Sequence, residues 1–394
     1  MLQIPEPTVD LDRESWDVVV LGAGPAGATA ARQLAAVGHR VLLVEKSRLP
    51  RAKVCGGCLG GVALDVLETI GLGDLPLRAG GRTLRSMNLY CRRSSATFPV
   101  GRRIAISRET FDQALVQQAV HAGAVVCEET EGSLRAPEPA NTRAVDLRIG
   151  GKRVTVLAKA VLVATGLGRC PMAGGRRIVN RSRVGLGTLL ECSHSEAECD
   201  ALQMAVASSG YVGIAAVDGQ RLDVAAAVDP WALAAAVSPG ALVARIVEEA
   251  GLVDAPLRAL ANAVWRGTPR LTRQCRPLGT HRCLLIGDAA GYVEPFTGEG
   301  IGWAMQSAVL ASELVSDQLD DWDAGLVRRW QRLHQRAVGR SQWYCRAISR
   351  LLRYESLSRL AVSSLRCAPG LARPVVRRID RSALVSLASE RTAP

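Results

Sequence analysis

Gly22-Ala23-Gly24-Pro25-Ala26-Gly27 joins an apolar run ending at Leu21 to an alanine-rich stretch, and Glu45, with Lys46 beside it, follows Gly24 by 21 residues. Strand, glycine turn and helix in this order can cradle a dinucleotide. The first glycine permits the tight turn, the second lets backbone approach a pyrophosphate, and the third lets the helix pack on the strand. The helix N-terminus then turns its positive dipole end toward the phosphates. Glu45 suits a ribose whose 2′ position carries no phosphate. Glycines in a strand-to-helix turn can equally be structural, and this segment alone does not separate FAD from NAD.

A second segment, Leu284-Leu285-Ile286-Gly287-Asp288-Ala289-Ala290-Gly291, continues through Pro295-Phe296-Thr297-Gly298-Glu299-Gly300-Ile301. It sets a carboxylate on a glycine turn after a strand and then opens another helix, which suits a long cofactor held at both ends. Asp288 can accept hydrogen bonds from ribityl hydroxyls, and N–H groups around Gly300 and Ile301 can face a flavin ring and stabilise negative charge on it. The bland alternative for Asp288 is a turn cap. Cys55 and Cys58 form a C-x-x-C pair that could serve dithiol exchange, but it lacks the helix-start setting that lowers a thiol pKa. Gly56 and Gly57 between the sulfurs fit close backbone approach better. The histidines at 39, 121, 194, 281 and 334 lie far apart, so no metal site is expected.

The elements that must position these residues begin with one βαβ unit: strand Asp17 to Leu21, helix Pro25 to Val37, strand His39 to Val44. Arg48 to Gly61, with Pro50 and two glycine pairs, reads as a loop lying close to backbone, followed by a helix from Val62 to Ile70. Weak alternation over Arg82 to Ile106 predicts half-buried strands, and Ser107 caps a helix over Glu109 to Ala122. Val125 and Val126 begin another strand. Ala144 to Ile149 and Val154 to Leu157 read as a hairpin, with Ala160 to Ala164 as a separate apolar strand. From Val184 to Arg273 the texture is antiparallel, with a hairpin of Tyr211 to Val217 and Arg221 to Val228 around Asp218-Gly219. Helices over Pro239 to Ala250 and Pro256 to Ala263 interrupt it, and the chain returns through strand Cys283 to Ile286 and a helix from Gly300 to about Leu319.

Past Trp322 everything reads as helical, with Arg328, Arg329, Arg332, Arg336, Arg340, Arg346, Arg350 and Arg353 opposite Trp330, Leu333 and the Ile348 to Leu352 group. Such a basic amphipathic region is either a solvated face on packed helices or a membrane-surface or partner-docking face.

Composition narrows the class. The 394 residues exceed one ordinary core, so two packed domains are expected. Hydrophobic residues at 48% and charged residues at 22% exclude a disordered or fibrous chain. The +12 charge, nearly all from arginine, would suit an acidic partner, but aromatics are 4% and no nucleic-acid-binding signature appears, so no nucleic acid is expected. Eleven scattered cysteines read as reduced and cytosolic. Glu6, Asp10 and Asp12 reverse the basic start of a signal peptide, and the longest charge-free stretch, Ala201 to Val217, falls short of the roughly 20 apolar residues of a spanning helix.

Gly22 to Gly27 with Glu45, Arg108-Glu109-Thr110-Phe111-Asp112, Ala164-Thr165-Gly166 and the Gly287-Asp288 segment occur in an order and spacing that resembles one FAD-dependent family over about residues 16 to 320. That family includes para-hydroxybenzoate hydroxylase, geranylgeranyl reductases and flavin-dependent halogenases. The resemblance implies an α/β fold: a Rossmann-like FAD-binding domain (16–82, 107–183 and 274–320), an inserted antiparallel β substrate domain (83–106 and 184–273) and a C-terminal helical region (321–394). It implies FAD extended between the domains, Arg108 near the flavin's linker, and Val126 lending backbone to the adenine end. Lys53-Val54-Cys55-Gly56-Gly57 looks like the loop that geranylgeranyl reductases lay beside the flavin. The halogenases' Trp-x-Trp-x-Ile-Pro is absent, and where the reductases carry Tyr-x-Trp-x-Phe-Pro this chain has Gly210 to Ala216, leaving Tyr211 as the substrate-facing candidate.

The resemblance thus implies, first, a monooxygenase that uses NAD(P)H and O2 to hydroxylate an aromatic or polyketide-type small molecule. The alternative is a geranylgeranyl-reductase-like enzyme saturating C=C bonds of an isoprenoid or lipid, its basic tail resting at a membrane surface; a binding protein without turnover is the non-enzymatic reading. No second glycine fingerprint marks the NAD(P)H donor, and oligomeric state is not fixed.

Overall fold

The computed structural model describes residues 11, 15–136, 141–168, 175–191, 200–253, 256–294, 296, 298–382 and 384. Pro295, Thr297 and residues 385–394 of the expected segments lie outside the described residues.

The first sheet is built around Trp16–Leu21, which pairs in parallel with Val41–Val44 on one side and Lys152–Val163 on the other. Cys283–Leu285 and Val125–Cys127 extend the parallel array outward. All six residues of Trp16–Leu21 are apolar except Asp17, as a strand covered on both faces requires. Helices Pro25–Ala36, Arg108–His121 and Gly300–Asp317 cover this sheet. Ala28, Ala30 and Ala31 let the first of them approach closely, each wholly buried.

The expected hairpin of Ala144 to Leu157 forms, but the separate strand expected at Ala160 is corrected: Lys152–Val163 is one strand. Its first half pairs antiparallel with Arg143–Ile149, its second half parallel with Trp16–Leu21. The apparent break at Lys159 is an edge of the core where the ammonium meets Asp17 and Asp320 at 3.2 and 2.9 Å.

The second sheet orders Arg266–Arg270, Val184–Glu191, Arg221–Val228, Gly210–Val217, Ala201–Ala207, Arg82–Cys91, Ser94–Ala105 and Cys58–Leu59. It is antiparallel throughout except where Ala201–Ala207 runs parallel to Arg82–Cys91, a correction to the purely antiparallel expectation. That join brings together two stretches that arrive from distant parts of the chain, so neither needs to reverse direction. Both faces of the sheet are covered, one by helix Pro239–Ala250 and one by a cluster containing Tyr211, Phe296 and Val362. Burial on both faces explains why Gly210–Val217 reads as a continuous apolar run. A small third sheet, Arg176–Ile178, Arg273–Cys275 and Gly291–Tyr292, bridges the two and was not anticipated.

Beyond residue 322 the described residues are mostly helical: Leu326–His334, a π turn over Gln335–Gly339, then Arg340–Leu351, Glu355–Cys367 and Ala372–Ile379. Trp330 is wholly buried and its indole N–H donates to the Leu285 carbonyl at 3.0 Å, tying this region to the first sheet.

Candidate functional site

The glycine turn sits where the strand order changes direction, at the C-terminal end of Trp16–Leu21, which is where open α/β sheets bind ligands. Gly22 adopts φ +103°, and a Cβ there would meet the Ala164 carbonyl oxygen at 2.6 Å. A Cβ on Gly27 would lie 1.7 Å from the Gly22 carbonyl oxygen, so helix and strand touch through this glycine. Gly24 differs. Its Cβ would meet only the tips of Arg108 and Arg51, at 3.7 and 3.8 Å, so the protein leaves the space in front of Gly24 to something else.

That space belongs to a cavity of about 1180 Å³ running between the two sheets, larger than the roughly 300–1,000 Å³ of an ordinary small-ligand pocket. Gly22, Gly24, Pro25, Ala26, Glu45, Lys46, Arg108, Asp288, Gly300, Ile301 and Tyr211 all line it. Three predicted residues do not. Ala23 lends its N–H to Glu45 Oε2 at 3.0 Å, Gly27 serves packing, and Val126 is buried in a strand in register with Leu43, away from the cavity. Thr130 to Leu134, the next strand, lines the cavity instead.

Glu45 is buried and accepts from Ala23 N–H, Ser47 N–H and Arg51 Nη2 at 3.0, 3.1 and 3.1 Å. Burial alone would raise its pKa, but the Arg51 charge and these hydrogen bonds outweigh it and hold the carboxylate ionised. Arg51 also donates to Asp112 at 2.9 Å, and Asp112 receives Arg108 through two hydrogen bonds of 2.8 Å. Two guanidiniums are thus fixed over the glycine turn by one carboxylate, bringing two positive charges to where a pyrophosphate would lie. Arg51 Nε, buried, has no hydrogen-bond partner. Sequence reasoning missed Arg51: the basic loop gave no sign of which base points inward.

At the other end, Gly287 and Asp288 form a single 3₁₀ turn. Gly287 has φ +56°, and its Cβ would come within 2.8 Å of Ala26 Cβ, so the two glycine turns pack against each other. Burial raises the Asp288 pKa to about 6, with Arg108 and Lys53 pulling the other way. Lys53 is itself lowered, first by burial and then by Arg51. Gly300 and Ile301 are the first two residues of the helix to Asp317, where amide N–H groups have no intrahelical acceptor. Glu299 before them is held by Arg103 at 3.3 Å, both side chains buried.

The loop from Lys53 to Gly57 is clamped to the second sheet. Gly57 has φ +58° and its carbonyl accepts from Ile106 N–H at 2.8 Å. Burial pushes the Cys58 thiol up to about 12 and raises Cys55 as well, the opposite of an exchange-ready dithiol. Cys55 and Cys58 both line the cavity, Cys58 from a short strand of the second sheet. Asp223, behind Gly57, is raised well above the ordinary carboxylate range by burial. Tyr211 is buried, edge-on to Phe296 at 5.1 Å, and hydrogen-bonded to Glu294.

The arrangement fits FAD: a glycine cradle with two arginines and an ionised ribose acceptor at one end, a carboxyl and helix N-terminus at the other, and one cavity joining them. Residues 15–169 match the family described as an FAD binding domain. Over 322 residues the chain is 26% identical to a digeranylgeranylglycerophospholipid reductase of Methanoculleus marisnigri, covering 77% of each chain. It is 26% identical over 331 residues to conditioned medium factor receptor 1 of Dictyostelium discoideum, with 78% of this chain spanning 64% of that protein's length. The solved structure of the flavin-dependent brominase Bmp2 superposes with a TM-score of 0.77 at 17% identity, covering 93% of this chain and 94% of that one, a likeness of fold.

Proposed function

We propose that this chain, whose residues 15–169 match an FAD binding domain, is an FAD-dependent oxidoreductase of the superfamily that includes para-hydroxybenzoate hydroxylase and the geranylgeranyl reductases, and that it saturates C=C bonds in an apolar, isoprenoid-type lipid. NAD(P)H is the proposed electron donor. The observation that carries this reading is the apolar part of the cavity wall, Leu202, Met204, Ala225, Ala226, Leu271 and Phe296, which shares the lining with Tyr211, Tyr292 and Arg266. A long hydrocarbon is stabilised there by about 25 cal/mol for each Å² it removes from water. The name of the Methanoculleus relative, a reductase of a polyprenyl lipid, supports the same class.

Bound FAD, once reduced, supplies a hydride. This chain's residues do the rest. Gly22, Gly24, Pro25, Ala26, Glu45, Arg51 and Arg108 would hold the adenylate and pyrophosphate, and Asp288 with the N–H groups of Gly300 and Ile301 would hold the ring end. Saturating a C=C bond also needs a proton, which Cys55 Sγ, kept protonated by burial on the loop that lines the cavity, would supply.

Tyr211 with Glu294 favours a second reading, in which a phenolic substrate is anchored by hydrogen bonds and hydroxylated at the expense of O2. Anaerobic incubation of the reduced protein with a geranylgeranyl lipid decides between them. A product heavier by one H2 per double bond is expected. An unchanged lipid, together with O2-dependent gain of oxygen by an aromatic substrate, would overturn the reductase reading in favour of the second.

A further inference from the structure

The last helices carry an exposed face that the cavity does not use. Between positions 340 and 379 there are nine arginines and one acid, Glu355, so two thirds of the chain's +12 formal charge lies in these forty residues. Glu355 is already paired with Arg92. Asp380, just beyond, is turned inward to Arg103 at 3.1 Å. Arg350, Arg359, Arg366, Arg373 and Arg377 are exposed.

Large apolar side chains are exposed among these charges. Trp343 is 61% exposed, Tyr354 60%, Leu360 64% and Leu371 57%, with Leu357 and Val375 also in solvent. They are not spare core residues, because the same helices bury a separate set, including Leu352, Val362, Ala372 and Ile379. The inner face therefore packs on the second sheet, while leucines and aromatics face outward between arginines. Tyr344 joins two of the helices by accepting from Arg378 Nε at 3.2 Å, which keeps the face in one piece.

We propose that this face docks on an anionic phospholipid surface. Leucine, tryptophan and tyrosine set among arginines match the boundary between acyl chains and headgroups, where apolar side chains insert and guanidiniums meet phosphate. A second copy of the chain is the poorer occupant, since two such faces would bring like charges together. No helix among the described residues is long and apolar enough to cross a bilayer, so the contact is peripheral.

Flotation of the full chain with vesicles of phosphatidylcholine alone and of phosphatidylcholine rich in phosphatidylglycerol tests this, whatever the flavin content or activity of the protein. Binding is expected to the anionic vesicles at least about tenfold more tightly than to the neutral ones, and to weaken as salt is raised. Removing three charges in R366Q/R373Q/R377Q is expected to weaken it by about a hundredfold, near fivefold per arginine. L357S/L360S is expected to weaken it at low salt without changing the melting temperature. Should either variant fail to fold, the headgroup and salt dependence of the native chain decides alone. Equal partitioning to both vesicles, no partitioning, or concentration-dependent dimerisation without vesicle binding would overturn the proposal.

Discussion

Asp288 carries a pH signature that belongs to one side chain. Burial raises its carboxyl from 3.8 to about 6. The folded chain therefore keeps a proton that the unfolded chain has lost, and the ligand-free protein loses stability as pH rises through that window. Ribityl hydroxyls donating to the carboxylate reverse the bias, because a charged acceptor binds them about twice as strongly as a neutral one. FAD affinity should accordingly rise as pH rises through 6, and in Asp288→Asn it should stay flat; fluorescence titration on both sides of that pH measures it. That Asp288, Glu45 and Gly24 would meet at one cavity was legible because each stands at a fixed offset from a strand end. Arg51 was not, since its place is set by Glu45 and Asp112 converging on it from other elements, and the cavity is lined by Thr130 to Leu134, the strand after Val126.

Between elements, the join of the two sheets rests on Asp218. It sits in the turn between Gly210–Val217 and Arg221–Val228 and reaches the start of helix Arg108–His121, where it accepts from Ser107 Oγ and Thr110 Oγ1 at 3.0 and 2.6 Å. Burial would raise this carboxyl, but the hydrogen bonds from Thr110, Ser107 and Arg221 outweigh it and leave the pKa below its ordinary value. A lowered carboxyl contributes stability that is present at neutral pH and lost as pH falls through its folded-state pKa. Asp218→Ala should cost about 2–3 kcal/mol at neutral pH by stranding these donors, and less in acid. Urea unfolding at both pH values checks this, and an equal cost in acid would contradict it. The hairpin and the Ser107 cap were both legible, each being written in a few adjacent residues. The contact between them was not, nor were the parallel pairing of Ala201–Ala207 with Arg82–Cys91, the third sheet and the continuous strand Lys152–Val163. Those are pairings between distant stretches, and hydrophobic periodicity records only that a stretch is buried, not against what.

For the whole molecule, the account rests on two glycine turns, far apart in sequence and packed together through Ala26 and Gly287, gripping opposite ends of one cofactor. The helices after residue 322 were legible as amphipathic, but which face packs inward depends on where Trp330 and Val362 land. The most direct test is titration of flavin-stripped protein with FAD, beside Gly24→Ala, whose added methyl meets no protein atom closer than 3.7 Å and should leave the melting temperature unchanged. The native chain is expected to take up FAD in equimolar amount and turn yellow, and Gly24→Ala, folded but with its cradle filled, to bind at least about tenfold more weakly. A folded native chain that stays colourless in excess FAD, or a Gly24→Ala chain that binds it equally well, would contradict the account.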